Sequence, residues 1–181
     1  MIWVPIGVVA VVLLSGIWQF NRLVSLRQRV ANGWSEIDVQ LRRRYDLIPN
    51  LIETVKGYAA HERQLFEHIA EVRTQGMQAS GVGEQASAQN QIAAGLKQLF
   101  AVAENYPELK ANQNFLALQE ELSATESKIA YARQFYNDQV MLLNTKIQSF
   151  PSNLIAGMFH FTQREFFEID EPARGPVQAG F

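Results

Sequence analysis

Histidine and glutamate could bind a metal in this chain, but their spacing matches no metal-binding motif. A dimetal helical bundle needs Glu-x-x-His pairs, because both ligands must project inward from one helical turn. None of the three histidines has a glutamate three residues earlier. His61 and Glu62 begin like the zinc-protease motif, yet Leu65 stands where the second histidine would be. We therefore predict no metal, and we expect His61 and His68 to be surface or boundary residues.

Carboxylates and nucleophiles give no stronger sign of catalysis. Glu120, Glu121 and Glu126 could ligate a metal or act as acid and base, but their Gln and Lys neighbours favour ordinary surface charge. The chain has no cysteine, which excludes thiolate catalysis, disulfides and zinc knuckles. The sequence contains no phosphate-binding loop, dinucleotide fingerprint or nucleophile elbow. It thus predicts a protein that is not an enzyme and needs no cofactor.

The charge pattern argues against nucleic acid as a partner. The net charge of -2 is a mixture of both signs, whereas nucleic-acid binders carry basic stripes that neutralise phosphates. Arg42, Arg43 and Arg44 form a basic run. It could bind anionic lipid or phosphate, but it lies about 33 Å along a helix from Arg22, beyond the reach of lipid headgroups unless the bundle leans over. We predict a solvated helix face there, with ion pairs to the acidic helix that contains Glu120.

The first residues could hold the rest of the chain at a membrane. Residues 2–20 contain no charged side chain, and a helix of this length covers about 29 Å, close to a hydrocarbon core. Trp3 and Trp18 lie near its two ends, where amphipathic rings favour the membrane interfaces. Asn21 and Arg22 end the apolar run. The sequence therefore predicts a transmembrane helix that contacts the lipid bilayer through residues 2–20.

A cleaved signal peptide would share this apolar run. The sequence favours an uncleaved anchor, because the first three residues lack a basic n-region and no small-x-small cleavage site follows. Arg22, Arg27 and Arg29 follow the span, whereas only the amino terminus precedes it. By the positive-inside rule, we expect a single-pass protein with its soluble part in the cytoplasm.

Apolar residues at helical spacing, which form a stripe along one side of a helix, occupy most of the chain after the span. In the first stripe, over residues 23–48, they follow one another at spacings of three and four. We therefore expect the membrane helix to continue into the soluble part. Asp46 and Pro49 either begin a new helix or kink a continuous one. A second stripe covers residues 51–72. Residues 75–91 are poor in bulky apolar side chains, which predicts a loop with a frayed helix start.

Two further helices follow this loop. The third begins near Ile92 and must stop before Pro107, because the residue before a proline disfavours the helical region. The fourth covers residues 115–150 with nearly heptad spacing, as in a coiled coil, and Pro151 ends it. Thr125 occupies a seam position of this helix that is otherwise apolar.

Beyond the fourth helix the sequence gives fewer indications of secondary structure. Ser152 and Asn153 are expected to cap a short helix over residues 154–159. Residues 164–169 are expected to be partly helical, and residues 171–181 to be flexible. The predicted fold class is all-α: an N-terminal transmembrane helix that continues into a long-helix, antiparallel, up-and-down bundle.

This fold predicts three segments. The anchor covers residues 1–21, the antiparallel bundle covers residues 22–150, and a short C-terminal helix with an aromatic cluster and a tail covers residues 151–181.

Polar residues inside the helical segments form one part of the candidate site: Asn50, Glu53, Lys56, Asn112, Arg133, Tyr136, Asn137 and Asn144. They either cap helices and fix the register of the bundle, or they form a surface for a partner or a second copy. The other part is a dense cluster of phenylalanines near the C-terminus: Phe159, Phe161, Phe166 and Phe167. Some of these rings should pack on the ends of the bundle, and an exposed subset would be an interaction patch.

Several stretches of the chain carry a resemblance to a known family. They are Asn32-Gly-Trp-Ser-Glu-Ile-Asp-Val-Gln-Leu, the run Arg44-Tyr-Asp-Leu-Ile-Pro-Asn-Leu-Ile-Glu-Thr-Val-Lys-Gly-Tyr58, the run Asn105-Tyr-Pro-Glu-Leu-Lys-Ala-Asn112, and residues 118–122, 129–133, 135–138 and 147–157. In these stretches the chain resembles the bacterial LemA family of membrane-anchored helical bundles. The resemblance implies a bacterial inner-membrane protein with an N-out, C-in topology, but no established activity or active site.

The function that these expectations favour is a non-enzymatic membrane-tethered scaffold, which forms a homo-oligomer and organises or remodels envelope components. The family resemblance adds, by association with magnetosomes and with membrane zinc proteases, a role in envelope organisation or quality control. The first alternative is therefore an adaptor or regulatory partner of a membrane protease. The second, which no motif supports, is a metal protein or enzyme that uses Glu121 and Glu126.

Overall fold

The fold is that of a computed structural model, which describes residues 3–168 and, for Pro5, the backbone alone. Within this range the chain forms helices and contains no strand. The helices are α1 Trp3–Lys56, α2 Arg63–Gln78, α3 Val82–Ala103, α4 Pro107–Lys110, α5 Gln113–Gln148 and α6 Ser152–Met158. The predicted fold class, an all-α chain whose apolar N-terminal helix continues into a helical bundle, is confirmed.

The helix α1 passes through Pro49 without a break and is 54 residues long. Proline has no backbone N–H, so Pro49 leaves the carbonyl of Tyr45, four residues earlier, without its helical donor. Arg73 of α2 supplies a replacement, because its Nε donates a hydrogen bond to the Tyr45 carbonyl at 2.6 Å. Of the two sequence interpretations, the structure therefore has the continuous helix.

The described chain divides into two compact units. Unit 1 contains residues 3–39 and 129–166, and unit 2 contains residues 40–128 with residues 167 and 168. The boundaries fall inside α1 and α5 rather than at the ends of the predicted segments. The predicted division into anchor, bundle and C-terminal segment stays a prediction.

In unit 1, α1 and α5 run antiparallel. The ammonium of Lys146 lies 5.5 Å from the centre of the Trp18 ring, while the Trp34 ring lies 5.6 Å from the ring of Tyr136. Rising residue numbers in α1 thus pair with falling numbers in α5. The helices approach closely at Gly33, where an added Cβ would lie 3.2 Å from Cα of Tyr136.

In unit 2, the loop with a helix start that was predicted over residues 75–91 is present, but the loop is much shorter than expected and the rest of the range is helix. Only residues 79–81 lie outside α2 and α3. Helix α3 is rich in small residues, which let it approach α2 so closely that an added Cβ at Gly95 would lie 2.9 Å from Cγ1 of Ile69. Composition suggested a loop because a close helix contact needs no bulky side chain.

Two predictions for the C-terminal part were wrong. Ser152 does not cap α6, since Pro151 is the N-cap and Ser152 lies inside the helix. The buried Ser152 hydroxyl donates instead to the carbonyls of Lys146 and Ser149 at the end of α5. Residues 161–168 are not helical, and the prediction for residues 171–181 lies outside the described residues.

The helix boundaries set by prolines follow the predictions. Helix α3 ends at Ala103, before Pro107, and α5 ends at Gln148, before Pro151. Pro107 occupies the first turn of α4, where its missing N–H removes no helical hydrogen bond.

Candidate functional site

Large apolar side chains cover the outside of the first part of α1. Each of the following is more than half exposed: Trp3, Val4, Ile6, Val8, Val9, Val11, Val12, Leu13, Leu14, Ile17 and Trp18. A core helix of a water-soluble protein would bury such residues. Among the described residues, one helix is long and apolar enough to cross a membrane, and it covers Ile6–Lys56. This exposed stretch is suited to contact with lipid.

Protein begins to cover α1 at Gly16. An added Cβ there would lie 3.8 Å from Cδ1 of Ile155 in α6. One turn further, the Phe20 ring lies 4.7 Å from the ring of Phe159 and 5.9 Å from that of Phe161. The apolar stretch of α1 therefore ends beside α6 and the aromatic cluster.

The four candidate phenylalanines differ in exposure. Phe161 is half-buried, with the guanidinium of Arg27 at 5.3 Å from the centre of its ring. Phe167 is fully buried, whereas Phe159 and Phe166 remain exposed. This division fits the expectation that some rings pack inside and others face outward. Their role in interaction stays a prediction.

Three of the polar candidates form hydrogen bonds to the backbone of the protein: Asn112, Asn144 and Tyr136. The side chain of Asn112 caps α5, because its Oδ1 accepts hydrogen bonds from the backbone N–H groups of Asn114 and Phe115. Asn144 donates to the carbonyl of Arg164 at 2.9 Å and accepts from its N–H at 2.8 Å. Asn112 is thus a helix cap, whereas Asn144 attaches the segment at Arg164 to α5; whether either asparagine also contacts a partner stays a prediction.

Tyr136 fixes the same C-terminal segment to α5. Its hydroxyl donates to the carbonyl of Glu165 at 2.9 Å. Burial raises the pKa of Tyr136 above its ordinary value, because the charged phenolate would lose water; nearby Arg164 opposes this effect. Tyr136 and Asn144 thus attach residues 164 and 165, which lie outside any helix, to α5.

The remaining polar candidates lie nearer the surface. Asn50, Glu53 and Lys56 are exposed, and the last two form an ion pair at 3.4 Å. Arg133 and Asn137 are half-buried in α5. Whether these five bind a partner stays a prediction.

A buried polar network around Arg44 in unit 2 was missed by the sequence reasoning. Arg44 is 4% exposed, its Nη1 donates to Oε1 of Gln89 at 2.9 Å, and its Nη2 pairs with Glu126. Gln85 and Gln89 both donate to the hydroxyl of Tyr45. Burial lowers the pKa of Arg44 to about 10, which leaves it charged at neutral pH. The missed signal was the spacing of the two glutamines, four residues apart on one face of α3.

The prediction for the basic run was thus right in part. Arg43 is exposed and pairs with Glu121 at 2.8 Å, so the predicted ion pairs to the acidic helix are confirmed. The solvated face was wrong for Arg44, which is buried because its long side chain reaches Gln89 and Glu126 from inside unit 2.

Metal-binding side chains do not gather in the part of the chain that the structure describes. Within residues 3–168 no group of three or more His, Asp or Glu residues could hold a metal ion. His61 and His68 are exposed, as predicted.

An uncovered apolar helix attached to helical units defines a class of protein, the membrane-associated helical bundles. The chain belongs to the LemA family, whose profile matches residues 33–181. The resemblance found in the sequence is therefore confirmed.

Three relatives show how far this similarity extends. The chain is 26% identical to magnetosome protein MamQ 2 of Paramagnetospirillum magneticum, over 86% of this chain and 66% of the relative. It is 24% identical to magnetosome protein MamQ of Magnetospirillum gryphiswaldense, with the same coverage of 86% and 66%. It is 25% identical to protein LemA of Metamycoplasma hominis, over 87% of this chain and 72% of that protein. The chain thus spans slightly less than two thirds of the length of these MamQ relatives.

Proposed function

We propose that this protein is a non-enzymatic scaffold, tethered to a membrane, which self-associates and organises other components of a bacterial envelope. The observation that carries the proposal is the uncovered apolar stretch of α1 from Trp3 to Trp18. Relatives named as magnetosome proteins support a role in organising a cell component, and neither MamQ nor LemA is the name of an enzyme.

The proposal includes a single-pass topology in the inner membrane with the remaining helices in the cytoplasm. Arg22, Arg27 and Arg29 support it, because basic residues next to a span stay on the cytoplasmic side. A C-terminal tag should resist protease added to intact spheroplasts and become sensitive when detergent is present. Digestion of the tag from outside would contradict this topology.

A stripe on the outer face of α5 supports self-association. Tyr131 and Leu142 lie about three turns apart on one side of the helix, and Phe135 lies between them in sequence with the edge of its ring at the Gly33 contact. All three are exposed, and Tyr131 is 76% exposed. We assign this stripe to contact with a second copy of the chain.

The test is the mass of the full-length protein in mild detergent, measured by light scattering. We expect a homo-oligomer for the native chain and a smaller particle for the double variant Tyr131→Gln/Leu142→Gln. The matched control is Met77→Gln/Leu116→Gln, which removes two exposed apolar side chains from unit 2. The control should keep the native mass.

One outcome would contradict self-association, and another would contradict the assignment of the α5 stripe. A strictly monomeric native protein would exclude self-association and favour the alternative, an adaptor of a membrane protease, which crosslinking in cells would then detect as a heteromeric complex. Equal loss of mass in both double variants would show that the α5 stripe has no special part.

A further inference from the structure

The outer face of α6 is apolar where a helix in contact with water is normally polar. Leu154 is 61% exposed and Met158 is 69% exposed, and they lie four residues apart on one face. Phe150, in the turn before α6, is 80% exposed. Phe150, Leu154 and Met158 together form the α6 outer row.

The opposite face of α6 fixes where the outer row lies. Ser152 and Ala156 are buried, and Ile155 is half-buried with its Cδ1 at the Gly16 contact. Gly16 is the point at which protein begins to cover α1. The α6 outer row therefore stands beside the end of the exposed apolar stretch of α1, within the same unit.

The sequence around α6 has the composition of a membrane interface. Residues 147–163 contain no Asp, Glu, Lys or Arg, and Lys146 and Arg164 flank them. The ammonium of Lys146 lies over the ring of Trp18. Long basic side chains and tryptophans favour the boundary between lipid headgroups and acyl chains.

We propose that α6 lies in this boundary, with its outer row and Phe159 inserted among the lipids of the bilayer that α1 spans. The chain would then have two membrane contacts, a spanning helix and an interfacial helix. Lipid is the occupant that the structure favours, because the row continues the uncovered surface of α1 and the segment lacks charges. The inference rests on the membrane anchor of the proposed function.

The absence of cysteine from the sequence makes the test direct. Full-length protein carrying one cysteine is labelled with an environment-sensitive fluorophore and reconstituted in vesicles of about three parts POPC to one part POPG. The test variants are Leu154→Cys and Met158→Cys. Val12→Cys reports the middle of the span, and Ser123→Cys reports an exposed position of α5 in unit 2. Lipids that carry a doxyl quencher near the headgroup or deep in the acyl chain measure depth.

We expect the labels at positions 154 and 158 to be quenched about twofold more by the shallow doxyl lipid than by the deep one. The label at position 12 should show the reverse, and the label at position 123 should respond only to aqueous iodide. Labels at 154 and 158 that behave like the one at 123 would overturn the inference, because the row would face water.

Labels that are shielded from iodide and from both doxyl lipids would also overturn it, since a second copy or another protein would then cover the row. The label at position 12 separates this inference from the proposed function. If it is quenched by lipid while those at 154 and 158 are not, only the interfacial helix is wrong. If it too faces water, the membrane anchor itself is wrong.

Discussion

In unit 2 the helix α1 has a buried cation, Arg44, whereas in unit 1 it has a glycine, Gly33, at a close approach to α5. Arg44 must find partners for its guanidinium, and it finds them in Gln89 and Glu126. Gly33 needs no partner, only the absence of a side chain next to Tyr136. Polar partners specify one arrangement because every other one leaves a charge unpaired, while a glycine contact specifies only distance.

The same contrast holds for the bonds that complete each unit. In unit 2 a side chain of α2, Arg73, bonds to a carbonyl that Pro49 has left without a helical donor. In unit 1, Tyr136 and Asn144 bond to the backbone of residues 164 and 165. Substitutions should therefore act through charge and helix continuity in unit 2, and through single hydrogen bonds in unit 1.

The largest effect is expected for Arg44→Ala. It removes a buried cation and leaves Gln89 without its donor, which should lower the free energy of unfolding by about 3 kcal/mol. For a chain of this size the melting temperature would fall by about 6–12 °C. Circular dichroism of the full-length protein in mild detergent measures this fall, and hydrogen exchange should show faster exchange in peptides from unit 2.

Arg43→Ala is the matched control. Arg43 is exposed, so the loss of its pair with Glu121 should cost less than about 1 kcal/mol. Equal losses of unfolding free energy for Arg44→Ala and Arg43→Ala would show that the buried network stabilises unit 2 no more than an exposed ion pair does. Arg44→Met, which keeps the apolar stem, should be milder than Arg44→Ala.

A second, smaller effect is expected at the Pro49 position. Arg73→Met removes the hydrogen bond to the Tyr45 carbonyl and should cost about 2 kcal/mol. In a Pro49→Ala background the new backbone N–H can bond to that carbonyl, so the same Arg73 substitution should cost less than about 1 kcal/mol. A double-mutant cycle of melting temperatures measures the difference.

The control for this cycle is Arg63→Met on the same helix. Arg63 is exposed and pairs with Glu67 at 2.7 Å, so its loss should be nearly neutral in either background. If Arg73→Met were equally costly with proline and with alanine at position 49, the explanation of the continuous helix would fail.

The fold was largely predictable because its long helices repeat apolar residues at helical spacing. The continuity of α1 through Pro49 was not predictable, because it depends on Arg73, which lies 28 residues from Tyr45 in sequence. The start of α3 was missed for a related reason: its contacts are made by small residues and by Gln85 and Gln89, whose composition resembles that of a loop.

The candidate site divides in the same way. The apolar stretch of α1 follows from composition alone, since a run without charges is visible in the sequence. The outward direction of Leu154 and Met158 could not be predicted from composition, because it depends on which face of α6 rests on Gly16. The burial of Arg44 likewise depends on partners that only the fold brings near.

The smallest effect is expected for Tyr136→Phe in unit 1. At neutral pH the loss of the hydrogen bond to the Glu165 carbonyl should cost about 1 kcal/mol. Because burial raises the pKa of Tyr136 in the folded protein, the native residue adds stability below the unfolded pKa of about 10 and loses it as the pH rises through the folded value.

The gap in melting temperature between the native protein and Tyr136→Phe should therefore narrow between about pH 8 and about pH 10.5. Arg44 in unit 2 has the opposite effect on the pH dependence of stability. Its pKa is lowered to about 10 in the folded state, so the folded protein releases this proton before the unfolded chain does, and stability rises with pH. This contribution is common to both proteins and cancels in the difference. The exposed Tyr131→Phe serves as control and should show no gap at either pH. A Tyr136→Phe gap that stayed constant with pH would show that the buried hydroxyl is not what couples unit 1 to pH.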